Sequence, residues 1–147
     1  MEHFEQIEIL LVEDNPFDAE LTLRGLKEEN LVNRIVWVRG GEEALDYVFR
    51  RGAYAERKGK QPRLVLLDLK MPRVDGIEVL KTMKGDERTR RIPVTIMTSS
   101  QEESDVVRSY DLGANSYVVK PVDFTHFARI ARQAGIYWLA INRPAAD

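Results

Sequence analysis

Five short aliphatic runs, each followed by a longer segment of helical period, constrain this chain more than any other feature. Residues 7–12 are apolar except for Glu8, and residues 34–38, 64–67, 92–97 and 117–119 repeat the pattern. Runs of this kind suit strands buried on both faces, as parallel strands between two helix layers are. Segment 16–28 carries Phe17, Leu21 and Leu26 at helical spacing, with Pro16 suited to the first turn and Asn15 or Asp14 to its cap. Segment 42–49 places Ala44, Leu45 and Val48 on one stripe behind Gly40-Gly41, and 77–83 does the same with Ile77, Leu80 and Met83 behind Asp75-Gly76. Segment 101–112 follows Ser99 and Ser100, either of which would cap it, and stops at Gly113. A last helix is expected from near Asp123 to beyond Leu139.

A strand–helix unit repeated five times predicts an α/β fold: a doubly wound parallel sheet of flavodoxin-like order 2-1-3-4-5. Five units are too few for an eight-stranded barrel. A length of 147 residues fits one domain over 1–147, with no effector domain after the last helix. In such open sheets ligands gather outside the carboxyl ends of the strands, where strand order reverses.

The near balance of charge, a net of -2, opposes nonspecific nucleic-acid binding. The absence of cysteine rules out disulfides, thiolate metal sites and thiol nucleophiles. No apolar run approaches the ~20 residues of a membrane span, and the acidic start does not read as a secretory signal. The expectation is a soluble cytoplasmic protein that binds neither nucleic acid nor membrane.

At the predicted carboxyl edge stand Glu13 and Asp14 after the first strand and Asp68 after the third. Thr98 follows the fourth, and Lys120 with Pro121 the fifth. Three carboxylates brought together repel one another, and a hard divalent cation with oxygen ligands, magnesium first, relieves the repulsion. A lysine and a hydroxyl beside them supply what holds phosphoryl oxygens. A carboxylate then serves as nucleophile and forms an acyl phosphate. Taken singly, Glu13-Asp14 reads equally well as a helix cap, Asp68 as an acid ending a strand, Thr98 as a cap and Lys120-Pro121 as a turn. Their conjunction on different strand ends points to phosphoryl transfer onto an aspartate.

These motifs resemble the receiver domain of two-component response regulators of the chemotaxis-regulator type, over about residues 6–140. The resemblance rests on Leu10-Leu11-Val12-Glu13-Asp14-Asn15, Leu66-Leu67-Asp68-Leu69-Lys70-Met71-Pro72 with Asp75-Gly76, Met97-Thr98-Ser99, and Gly113-Ala114 leading to Tyr117 and Lys120-Pro121. It implies that Asp68 is the phosphoacceptor, charged by a sensor histidine kinase. It also implies that Glu13, Asp14, Asp68 and the Lys70 backbone carbonyl bind Mg2+, with Mn2+ as a substitute. Thr98 and Lys120 would contact the phosphoryl group, Thr98 and Tyr117 would form the switch, and Lys70 and Ser100 would tune dephosphorylation. Such a protein is a signalling acceptor rather than an enzyme with turnover.

Two features depart from the commonest receivers. Residues 50–63 are long and basic, with Arg50, Arg51, Arg57, Lys58, Lys60 and Arg63 against Glu56 alone, which reads as a solvated loop or a surface for an acidic partner. The last helix is expected to cover the sheet with Phe127, Ile130, Ala131, Ala134, Tyr137, Trp138 and Ile141. Apolar residues also spread around its sides, and Phe124, Ile136, Tyr137, Trp138 and Leu139 form the expected face of a homodimer. That ending, Tyr137-Trp138-Leu139 with Ile141-Asn142-Arg143-Pro144, together with the basic loop, resembles the stand-alone regulators of bacterial phytochrome kinases.

Three rival functions have weaker support. An aspartyl-nucleophile phosphatase of the haloacid-dehalogenase type would carry a second acid where Lys70 stands. A nucleotide-binding enzyme would show a G-x-x-x-x-G-K-[ST] or G-x-G-x-x-G loop, and neither is present. A module that no longer signals by phosphate would not need every acidic and phosphate-contacting position filled.

Overall fold

The computed structural model describes residues 8–28 and 34–145. Five parallel strands, β1 (Glu8–Val12), β2 (Arg34–Val38), β3 (Leu64–Leu67), β4 (Val94–Thr98) and β5 (Ser116–Val119), form one sheet of order β2-β1-β3-β4-β5. Five helices alternate with them: α1 (Pro16–Lys27), α2 (Gly41–Phe49), α3 (Gly76–Lys84), α4 (Glu103–Asp111) and α5 (Phe124–Ile136). The predicted architecture is therefore the observed one. Ile7, the expected first residue of the first strand, lies outside the described residues.

The strand alternation divides the core. Leu10, Val12, Val65, Leu67, Val94 and Ile96 face one way and pack with Leu45 and Val48 of α2 and with Val79, Leu80 and Met83 of α3. Ile9, Leu11, Leu64 and Leu66 face the other way, against Ala19 and Leu26 of α1 and Leu139 beyond α5. Leu21, Met97, Phe127 and Ala131 close the contact of α1 and α5 over β4. That contact is tight: a Cβ on Gly25 would stand 2.2 Å from the Ala128 carbonyl oxygen.

The caps follow the sequence at three helices and depart from it at a fourth. Asn15 caps α1 by accepting from the Phe17 and Asp18 amides, Asp75 caps α3 and Asp123 caps α5. Neither Ser99 nor Ser100 caps α4, which begins after Glu102 with no side-chain cap bond. Ser100 is drawn instead to Asp105, to which its hydroxyl donates at 2.5 Å.

The basic segment is partly tied to the fold, while Arg51, Lys58 and Lys60 remain exposed on its surface. A short 3-10 turn, Gly52–Tyr54, starts it. Arg50 donates to the Arg57 and Gly59 carbonyls, and Arg57 to the Tyr47 carbonyl while lying 4.2 Å over the Tyr47 ring. Gln61 donates to the Val48 carbonyl. Half-buried arginines thus knit the loop to α2. Nearby, burial raises the pKa of Glu8 at the start of β1, opposed by Arg34, Arg57 and Arg50.

The end of α5 overturns part of the dimer-face expectation. After Ile136 the chain widens into a π-helical turn, Tyr137–Ile141, in which Asn142 donates to the Tyr137 carbonyl at 2.6 Å. A change from i→i+4 to i→i+5 bonding resets the rotation per residue, so α-helical spacing no longer says which side chains face inward. Leu139 is buried in the chain's own core and so does not belong to an outer face, whereas Trp138 packs beside it and stays partly exposed. Tyr137 and Ile141, expected on the sheet, are exposed. Phe124 lies at the other end of the helix, edge-on to Phe17 at 5.2 Å.

Gly76, the first residue of α3, abuts the end of β3: a Cβ there would stand 2.1 Å from the Asp68 carbonyl oxygen and 2.7 Å from Leu69 Cα. Backbone contacts this close leave no flexible partner to move aside. Gly76→Ala should therefore lower stability by about 1–3 kcal/mol or more, read as a fall in the urea midpoint with little change in slope.

Candidate functional site

The carboxyl edge is assembled by backbone bonds that run one residue past the strands. The Glu13 amide donates to Val38, the Asp68 amide to Val12 and the Lys120 amide to Thr98, at 3.1, 3.1 and 2.7 Å. Each site residue is therefore the first residue beyond its own strand and is tied to the strand beside it. β2 grips Glu13 a second time, because the Trp37 indole donates to the Glu13 carbonyl at 2.8 Å.

Lys120 is the hub. Its ammonium donates to Glu13 Oε1 at 2.6 Å, Asp18 Oδ2 at 2.8 Å and Asp68 Oδ2 at 2.9 Å, with its side chain only 7% exposed. Burial pulls its pKa down, but hydrogen bonds to Asp18, Glu13 and Asp68 outweigh that, so it lies above the ordinary lysine value. Glu13 shows the converse. Burial and the neighbouring Asp68 push its carboxyl up to about 8, against the opposing pull of Lys120.

Glu13, Asp14 and Asp68 each offer an oxygen within 4.8 Å of the others. An all-oxygen set of this size fits a divalent magnesium-like ion, and Lys120 alone does not offset its charge. Asp68 is almost buried. Its second oxygen accepts from the Lys70 amide at 3.4 Å, which orients the carboxylate. Thr98 is wholly buried at the end of β4, and its hydroxyl oxygen accepts from the Ser100 amide at 3.4 Å.

Tyr117 is half-buried against the core, with its hydroxyl donating to the Ser100 carbonyl at 3.0 Å. Lys70 and Ser100 converge on one acid, Asp105 of α4. The Lys70 ammonium lies 3.3 Å from the oxygen that accepts the Ser100 proton. That hydrogen bond, aided by Lys70, holds the Asp105 carboxyl below its ordinary range.

The edge thus gathers Glu13, Asp14, Asp68, Thr98 and Lys120, as sequence reasoning expected. Phe124, Ile136 and Tyr137 are elsewhere. Two members were missed. Asp18 sits in the first turn of α1, where an acid has a sufficient helix-dipole explanation, and Asp105 has the same explanation in α4. The available signal was periodicity: Asp18 lies three residues after the capping Asn15, on the turn that starts at the site.

The response regulator receiver domain model matches residues 9–132. The "Probable methanogenesis regulatory protein FilR2" of Methanothrix harundinacea is 43% identical over 92% of this chain and 85% of its own. "Response regulator Rcp1" of Synechocystis sp. is 34% identical over 94% and 93%. A crystal structure of the Mn(2+)-bound form of Rcp1 superposes with a TM-score of 0.88 at 33% identity, covering 95% and 99%. The phosphorylated cyanobacterial phytochrome response regulator RcpA gives 0.90 at 35% identity, covering 96% and 99%. The bacteriophytochrome response regulator AtBRR gives 0.77 at 49% identity, covering 98% and 99%. Among the described residues no helix is long and apolar enough to cross a membrane.

The raised Glu13 pKa sets a pH dependence. A carboxyl that binds its proton more tightly folded than unfolded favours the fold at low pH, and that contribution is lost as pH climbs from 4.5 through about 8. In chelator, Glu13→Gln should therefore gain stability over wild type between pH 5 and 8.5, by roughly 1–2 kcal/mol or a few degrees in Tm. Thermal melts across that range check it. A flat difference between the two proteins would contradict the assignment.

Proposed function

Because the chain belongs to the response regulator receiver family, we propose that it is a single-domain phosphoacceptor of a two-component system, charged on Asp68 by a histidine kinase. The observation that carries this reading is the largely buried Lys120 ammonium held 2.9 Å from the almost buried Asp68. Glu13, Asp14, Asp68 and the Lys70 carbonyl would hold Mg2+, or Mn2+ in its place, which supplies charge neutralisation at the phosphoryl oxygens.

The chain's own residues do the rest. Asp68 attacks the phosphorus of a phosphohistidine, a P–O bond forms as the P–N bond breaks, and the imidazole leaves with a proton. Lys120 turns from its carboxylates to a phosphoryl oxygen, and the Thr98 hydroxyl donates to another. Movement of Thr98 disturbs the Ser100 loop that holds the Tyr117 hydroxyl, and so carries the signal to α4 and β5. Such a protein has no substrate turnover of its own beyond slow loss of the phosphoryl group.

The names of the neighbours RcpA and AtBRR, a cyanobacterial phytochrome and a bacteriophytochrome response regulator, support a bacterial phytochrome as the kinase. A homodimer through the α5 end has support from the exposed apolar side chains Tyr137 and Ile141 and the partly exposed Trp138.

Incubation with acetyl phosphate and Mg2+ should add one phosphoryl group by intact mass to wild type and none to Asp68→Asn. Addition to both would move the acceptor elsewhere, and addition to neither would refute the reading. Light scattering at micromolar concentration should show a dimer weakened by Tyr137→Arg, and a monomer in every state would remove the dimer.

A further inference from the structure

Asp105 of α4 joins two side chains from different loops. Lys70 stands two residues after Asp68, and Ser100 two residues after Thr98. The Ser100 hydroxyl donates to Asp105 Oδ2 at 2.5 Å, and the Lys70 ammonium lies 3.3 Å from that same oxygen. The result is a chain of polar contacts from the acceptor loop to the β4–α4 loop. It connects two loops that leave adjacent strands and border the phosphoryl position. Asp105 is the fixed point: its side chain is 18% exposed, whereas that of Lys70 is 66% exposed. Without Asp105, Lys70 has no other partner among the interactions described here, and a long cationic side chain at such exposure samples many rotamers.

We propose that Asp105 is a positioning residue for phosphoryl retention, tethering Lys70 and Ser100 as a bar beside the acceptor that restricts the approach of water. This rests on Asp68 being the phosphoacceptor. In the step it restrains, a water oxygen forms a new bond to phosphorus and the bond to the Asp68 oxygen breaks. The electron pair returns to the carboxylate, and the water's proton passes to solvent as inorganic phosphate departs. An Asp105 that only favoured the first turn of α4 through the helix dipole would also explain an acid at this position. It would not make the effect of its removal depend on Lys70.

The test charges the full-length protein with acetyl phosphate and Mg2+, removes the donor and follows loss of the phosphoryl group by intact mass. Wild type is compared with Asp105→Ala, Asp105→Asn, Lys70→Ala and Lys70→Ala/Asp105→Ala. Asp105→Ala should lose the group about two- to fivefold faster, the rate equivalent of one partly exposed ion pair. Asp105→Asn, which keeps an acceptor for Ser100 and drops the charge facing Lys70, should lie between. The double variant should be no faster than Lys70→Ala alone, the non-additivity expected of residues acting as one unit.

Added salt should speed the loss in wild type and leave Asp105→Asn unmoved, a response that a helix-dipole role confined to α4 would not tie to Lys70. Equal acceleration by Asp105→Ala in the Lys70→Ala background would overturn the proposal, as would an unchanged or slower rate in Asp105→Ala. If Asp105→Ala melts early, Asp105→Asn carries the comparison. Failure of wild type to take up the phosphoryl group would refute the acceptor reading itself, and the inference with it. Uptake with Asp105-independent loss would refute the inference alone.

Discussion

One desolvated ammonium group organises the functional end of this molecule. Lys120 balances carboxylates that would otherwise repel one another at the mouth of the sheet, and each of them in turn repays its loss of hydration. A buried ion cluster of this kind adds little net stability, and removing its one cation costs much more than the cluster contributes, because the acids are then left uncompensated. Its value lies in poise. The cation is already dry, already aimed at Asp68, and bound to groups that a more negative newcomer outbids. The strands need only end in register for this arrangement to form, and the backbone bonds from Glu13, Asp68 and Lys120 to neighbouring strands see that they do.

The fold was legible because its signals are local. Continuous aliphatic runs suit strands covered on both faces, as β1, β3 and β4 are, and helical spacing between them leaves few arrangements. The main acids were legible because the topology rule puts each strand's next residue on one edge. What escaped was whatever depended on side-chain reach. Asp18 and Asp105 have ordinary reasons to begin helices, and nothing in a linear pattern says that the Lys120 or Lys70 side chain will extend to them. Ser100 was expected as a candidate cap of α4, and its hydroxyl goes to Asp105 instead.

The end of the last helix illustrates a different limit. Apolar residues around its circumference suggested a second surface, but a single π-helical turn shifts the phase and carries Leu139 inward. The surplus of apolar residues was real, and part of it serves the chain's own core next to β1. The basic segment 50–63 is legible only in part. Its charge suggests an outer surface, which Arg51, Lys58 and Lys60 keep, whereas Arg50 and Arg57 spend their donors on carbonyls of α2 and of the segment itself.

The span of the Lys120 contacts has a consequence for the life of the protein. Glu13 and Lys120 are 107 residues apart and meet only when both of their strands have docked on the sheet. A chain still emerging from the ribosome, or one clipped before β5, retains its acidic cluster but lacks the cation that tempers it. Competence to receive a signal therefore waits on the docking of β5, because the cation that tempers the acids enters the site only with that strand.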